Sequence, residues 1–174
     1  MCADMENIEI MCEGRFLRLL KEGHWEYVDR VNANGAVMIV AVTPERELIL
    51  VEEYRYPLHA WAIGLPAGIS GDVGEESRLT TAERELEEEA GYRAGKWTYL
   101  CEGPSSPGLT TEMVSFYLAG DLVRISDGGG VEHEKITVHR IPLTQVHNWL
   151  FSEIAKGKIV DPKIFMGLYF IEKQ

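Results

Sequence analysis

The fold class that this chain predicts is a mixed-sheet α/β or α+β sandwich. Three observations carry it. Four strand-like segments fill the first third, a capped amphipathic helix follows with more strand-like segments beyond it, and two helices close the chain. Strands that precede and interleave with few helices suit a sheet covered by helices rather than a helical bundle. The length, 174 residues, suits one domain with a core of its own.

The elements follow in order. Segments 15–20 (RFLRLL), 24–31 (HWEYVDRV), 36–42 (AVMIVAV) and 47–55 (ELILVEEYR) alternate, or are rich in β-branched and aromatic residues, and read as strands. Turn signals separate them at Lys21-Glu22-Gly23, Asn32 to Gly35 and Thr43 to Arg46. The stretch GLPAG, 64–68, is a loop or short strand. A helix is expected over 77–90, with Ser77 as its cap and Gly91 as its stop. Leu79, Ala82, Leu86 and Ala90 form its apolar stripe at offsets 0, 3, 7 and 11. Further strands are expected near 96–102, 113–119 and 136–140. A second helix fits 143–156 before Gly157, and a third runs from Asp161-Pro162 to about Ile171.

Composition excludes several function classes. The charge is 17 basic minus 28 acidic residues, or −11. That argues against a nucleic-acid backbone as partner, which needs cationic patches. A phosphate-handling enzyme fits this charge only where metal ions supply the positive side. No stretch approaches the roughly 18 apolar residues of a membrane span, and the acidic N-terminus is unlike a secretory signal. The three cysteines, Cys2, Cys12 and Cys101, have no zinc-site spacing and read as free thiols of a cytoplasmic protein.

One stretch, AERELEEEAG (82–91), calls for explanation. On a helix, Glu85, Glu88 and Glu89 fall within an arc of about 100°. Like charges at helical neighbours cost roughly 0.2–0.5 kcal/mol per pair. The arc flanks the apolar stripe, so the carboxylates sit at the core edge. A hard divalent cation, held by a few carboxylates and substrate phosphates, turns the repulsion into attraction. A solvated acidic face is the bland alternative.

The context resembles the Nudix hydrolases, whose box reads G-x5-E-x7-R-E-U-x-E-E-x-G-U, with U a bulky apolar residue. Glu76, seven intervening residues, then Arg84, Glu85, Leu86, Glu88, Glu89, Gly91 and Tyr92 match it position by position. The leading glycine departs: Ser70 holds its place between Gly68 and Gly71, as in a loop two residues longer than usual. The resemblance implies a Nudix-type α/β/α sandwich with a mixed sheet, preceded by antiparallel N-terminal strands. It implies metal binding by Glu85 and Glu89 with Glu88 assisting, and Arg84 as the residue that orients the carboxylates.

Four segments outside the box resemble the ADP-ribose pyrophosphatase and nucleoside-diphosphate-sugar hydrolase branch. In VEEYRYP…LPAG, Ala67 matches the residue whose carbonyl binds metal, and Arg55 matches a substrate arginine; a surface charge is the plain reading of Arg55. The branch commonly has Glu before LPAG, where this chain has Gly64. In SSPGLTTE (105–112), Glu112 matches an acid that faces the metals and is the base in some relatives. In GGGVEHEKITV (128–138), Glu132 matches an acid that activates water and Glu134 one that reaches a metal, with His133 between them. Three glycines there read as a mobile loop. The segment 157–171 matches the C-terminal helix region.

The implied activity is hydrolysis of the diphosphate bond of ADP-ribose or a nucleoside diphosphate sugar, with Mg²⁺ or Mn²⁺ as cofactor. Glu132 or Glu112 takes the proton from water. Relatives are homodimers, which assigns residues 1–34 to dimerisation and part of the pocket, and 35–174 to catalysis. Trp25 and Arg30 are then substrate contacts, although Trp25 and Tyr27 suit a dimer core equally. The rival readings are a Nudix hydrolase of nucleoside triphosphates or dinucleoside polyphosphates, and a non-catalytic nucleotide-binding Nudix module.

Overall fold

The computed structural model describes residues 8–71, 74, 76–131 and 135–173. Strands β1 (Glu9–Glu13), β2 (Leu17–Glu22) and β3 (Trp25–Arg30) form an antiparallel three-stranded sheet. A second sheet holds β4 (Gly35–Val42), β5 (Glu47–Arg55), β6 (Ala60–Gly64), β7 (Ala67–Ser70), β8 (Tyr92–Pro104), β9 (Met113–Arg124), β10 (Thr137–Pro142) and β11 (Ile159–Val160). Its main path runs β11-β6-β5-β4-β9-β8, with β10 beside β5 and β7 beside β4. The β4–β9 and β6–β11 pairs are parallel and the others antiparallel, so the sheet is mixed.

Helix α1 (Arg78–Glu85) runs on into a π-helical turn, Leu86–Ala90. Helices α2 (Val146–Ala155) and α3 (Lys163–Glu172) come later. Strand β4 reads as one apolar run because both of its faces are covered. Val37, Ile39 and Ala41 pack with Ala82, Leu86 and Ala90 on one face. Val40 packs with Val146, Leu150, Ile164 and Leu168 on the other. The expected α/β/α sandwich is therefore present.

Strand β4 also positions the site, because its edge is shared. Residues Gly35 to Met38 pair with β7, and Ala41 and Val42 pair with β5. Between them the Ile39 N–H donates to the Pro66 carbonyl at 2.9 Å. The LPAG segment therefore crosses the middle of the sheet on its way into β7, against which α1 packs.

Local differences from expectation have local causes. Ser77 caps α1, its hydroxyl accepting from the Thr80 N–H at 3.1 Å, and Gly91 closes the π turn at φ 76°. Leu79, however, is exposed, and Thr81 is buried in its stead. The Thr81 hydroxyl donates to Ser70 Oγ at 3.1 Å, so the residue in place of the leading glycine is a core partner of the helix. Helix α2 starts three residues later than expected. Leu143 and Gln145 spend their N–H groups on the carbonyls of Arg46 and Pro142, at 2.9 and 2.8 Å, and so form a turn. Strands β1, β6 and β11 carry little sequence signal: all of β1 is exposed, β6 alternates Ala and Gly with Trp61 and Ile63, and β11 has two residues.

Candidate active site

The carboxylates of α1 are aimed by its last turns. Glu85 ends the α-helical part, and Glu88 and Glu89 lie in the π turn, a deviation that often marks functional positions. Glu89 is buried, and its Oε2 accepts the Ala67 N–H at 3.0 Å. The Glu85 side chain lies directly against Gly68, so closely that a Cβ there would overlap the carboxylate. Two carboxylates one helical turn apart thus meet two adjacent residues of β7. Glu88 is more open, with its side chain 35% exposed.

Arg84 brackets the group. One terminal nitrogen donates to Glu85 Oε1 at 2.8 Å and to Glu88 Oε2 at 3.1 Å, and the other to Glu76 Oε1 at 3.0 Å. The planar guanidinium suits this fork. Burial pulls its pKa down, but the Glu76 hydrogen bond and the charges of Glu85 and Glu76 outweigh that and hold it above the ordinary arginine value. The Arg84 hydrogen bond in turn lowers Glu76.

The donor set fits a hard divalent cation: carboxylate oxygens of Glu85 and Glu89, a third from Glu88, and the backbone of Ala67. Among the described residues no three acidic, histidine or cysteine side chains converge into a ready cage. Glu88 leans toward Arg84 instead. Mg²⁺ asks for no such cage, since one or two carboxylates, waters and substrate phosphates complete its shell.

The glycine segment is spliced onto the same helix end. Gly129 and Gly130 donate their N–H groups to the carbonyls of Glu89 and Glu88 at 2.9 and 3.0 Å. Gly128 has φ 66°, and a Cβ there would stand 2.6 Å from the Glu89 carbonyl oxygen. At Gly128 close backbone approach demands glycine, and Gly129 and Gly130 take positive φ of 114° and 81°. Glu132, His133 and Glu134 lie outside the described residues.

A second group forms where β3 meets the 105–112 loop. Arg30 Nε donates to Glu112 Oε2. Trp25 and Tyr27 line a groove of about 250 Å³ with Pro107, Gly108 and Thr110. Arg55 pairs with Glu53 at the end of β5. Ile49 of that strand belongs to the α1-side core, so by alternation Glu53 and Arg55 face the same side. Ile63 belongs to the opposite core, so Gly64 also faces the α1 side, where an added Cβ would meet nothing within 4 Å. Glu53, whose cross-strand partner is Ala62, lies diagonally from Gly64 on that face.

Sequence reasoning matched Glu76 to the box without giving it a role, and passed over Gly68 and Glu53. The steric signal at Gly68 was present as a glycine next to LPA, but only the fold shows that Glu85 fills its missing side chain.

The helix carboxylates bracketed by Arg84 and docked on the LPAG strand are the residues of the Nudix box brought together in the fold. The NUDIX domain family model matches residues 33–161, and the chain belongs to that family. The ADP-ribose pyrophosphatase of Bacillus subtilis (strain 168) is 44% identical over 139 residues, 79% of this chain and 72% of that protein. The methanol dehydrogenase activator of Bacillus methanolicus is 31% identical over 172 residues, 95% of this chain and 90% of that one. The GDP-mannose pyrophosphatase of Escherichia coli (strain K12) is 30% identical over 154 residues, 84% and 76% of the two chains. A crystal structure of an ADP compounds hydrolase superposes with a TM-score of 0.75 at 24% identity, covering 97% of this chain and 91% of that one, which bears on the fold. The expected Nudix pyrophosphohydrolase is borne out. Among the described residues no helix is long and apolar enough to cross a membrane.

Proposed function

We propose that the protein hydrolyses the diphosphate bond of ADP-ribose or a nucleoside diphosphate sugar, releasing a nucleoside monophosphate and a sugar phosphate. The observation that carries this reading is the meeting of Glu85 and Glu89 with Ala67 and Gly68 under the bracket of Arg84. Similarity to pyrophosphatases named for ADP-ribose and GDP-mannose supports the substrate class.

In this reading Glu85, Glu88, Glu89 and the Ala67 carbonyl, with Glu134, hold Mg²⁺ or Mn²⁺. Held there, such an ion would supply charge neutralisation at the phosphoryl oxygens and a more acidic water. Arg84 keeps the carboxylates apart and aimed. Arg55 and Arg30 pair with the phosphates, Trp25 stacks on the base, and Glu132 or Glu112 accepts the proton from the attacking water. Residues 1–34 dimerise the chain, for which the exposed Ile10, Phe16 and Leu17 supply apolar surface. The free thiols of Cys12 and Cys101 suit the cytoplasm. The acidic charge speaks against a nucleic-acid partner.

The testing experiment is a panel of ADP-ribose and sugar nucleotides with Mg²⁺, read for released monophosphate. Turnover of at least one supports the reading; turnover of nucleoside triphosphates or dinucleoside polyphosphates alone rejects it. A second reading, a nucleotide-binding module that acts on a partner protein, has one observation in its favour, the near full-length match to a protein named as an activator. The complete set of box acids favours turnover.

A further inference from the structure

We propose that Glu112 is a positioning residue that anchors Arg30 for the substrate phosphates, leaving the proton to another group. This rests on the diphosphate-hydrolase reading above. Glu112 is the more buried partner, its side chain 14% exposed against 32% for Arg30. The contact uses Nε of the guanidinium. A guanidinium tethered by Nε presents its two terminal nitrogens, the fork that matches a phosphate, to another acceptor. A carboxylate that accepts a proton must offer an oxygen to the attacking water. Glu112 spends Oε2 on Arg30, which leaves only Oε1 to face a water.

The backbone fixes both partners. The Val28 N–H donates to the Leu109 carbonyl at 2.8 Å, and the Thr111 N–H donates to the Val28 carbonyl at 3.2 Å. The Thr111 hydroxyl reaches the Asp29 carboxylate, which Arg18 Nε holds from the far side at 2.9 Å. The side-chain hydrogen bonds from Thr111 and Arg18 overcome burial and keep Asp29 below its ordinary value. Arg30 follows directly on the residues zipped from β3, and Glu112 on those zipped from the loop. The pair therefore sits at the end of a clamp rather than at a free loop tip. It borders a cavity of about 130 Å³, and Thr111 also walls the aromatic groove of Trp25 and Tyr27. Thr111 is the residue that the cavity beside Arg30 and the aromatic groove share.

The test compares wild type with E112Q, R30A, R30K and the R30A/E112Q double variant. ADP-ribose turnover is measured at saturating Mg²⁺ across pH, and ADP binding by calorimetry. Each single variant should raise KM and the ADP Kd by about tenfold, keep kcat within about threefold, and leave the shape of the kcat–pH profile unchanged. R30K keeps the charge but lacks Nε, so it should fall with R30A. The double variant should be no worse than R30A, the mark of two residues acting as one unit. T111V, which removes the hydroxyl bonded to Asp29 and keeps both partners' side chains, should raise KM by a few fold in a protein that still melts cooperatively.

A drop in kcat beyond about a hundredfold in E112Q, with KM and ADP binding unchanged, would make Glu112 the proton acceptor and overturn the proposal. Additive losses in the double variant would overturn it as well. If wild type turns over none of the diphosphates, the functional reading fails by itself. The ADP titrations then still decide the pair: a shared, non-additive loss upholds it and an unchanged Kd rejects it.

Discussion

The Ala67 N–H donates to Glu89 Oε2 across 3.0 Å, joining the last turn of the glutamate helix to the strand that follows LPA. That single bond sets two proposed metal donors, the Glu89 carboxylate and the Ala67 backbone, side by side. Because Glu89 is buried, its charge needs company, and the Ala67 N–H supplies a charge-assisted hydrogen bond.

Neutralising either helix carboxylate should therefore abolish turnover without unfolding the chain. E85Q and E89Q are each expected to lose at least about a hundredfold in kcat. Circular dichroism and a melting curve near that of wild type check that the fold survives.

Gly68 offers a subtler perturbation. Its φ is not among the positive values, so alanine fits the backbone, but the new Cβ would occupy the space of the Glu85 carboxylate. G68A should cost about ten- to a hundredfold in kcat while every box acid remains in place. Steady-state kinetics beside the melting temperature distinguish this from a loss of stability.

Gly128 should behave in the opposite way. It combines φ 66° with a backbone contact of 2.6 Å, so alanine there has no cheap escape. G128A is expected to cost about 2 kcal/mol or more of stability, read by urea unfolding.

These glycines also mark the limits of what the sequence discloses. The helix, its Ser77 cap and the spacing of Arg84, Glu85, Glu88 and Glu89 were legible because one periodicity and one motif encode them locally. The apolar, β-branched runs of β4 and β5 were legible for the same reason. Leu79 was misplaced because a threonine with a hydroxyl partner on Ser70 can take a core position that hydrophobicity alone assigns to leucine. The partnership of Arg30 with Glu112, 82 positions apart, depends on tertiary docking, and no local pattern records it. Glu53 and Arg55, two apart on one strand, share a face by alternation, but which face the helix covers is set by the fold.

The far face of the sheet carries a pH-dependent contribution of its own. Glu52 is buried and accepts from His139 Nε2 and Lys158 Nζ, both at 2.9 Å. Burial pushes its carboxyl up, but the hydrogen bonds from Lys158 and His139 prevail and hold it below the ordinary value of 4.5. A carboxyl lowered on folding stabilises the fold fully above its unfolded pKa, and that contribution is lost as pH falls through the folded one. E52Q should be destabilised by about 2 kcal/mol at neutral pH. The gap to wild type should close as the pH drops below 4.5. Thermal melts of both proteins across that range check the sign.

The exposed apolar residues of the N-terminal sheet give a test of assembly. The chain should run as a dimer of 19.6 kDa protomers, and I10D, at an exposed position of β1, should shift it to the monomer in sedimentation.

The most direct measurement is monophosphate release from ADP-ribose and a set of sugar nucleotides by wild type and E89Q, each with Mg²⁺ and with chelator. Release by wild type that needs the metal and vanishes in E89Q is the expected result. Equal release with chelator, or from E89Q, would contradict the claim that this carboxylate helix gathers the metal that cleaves the diphosphate.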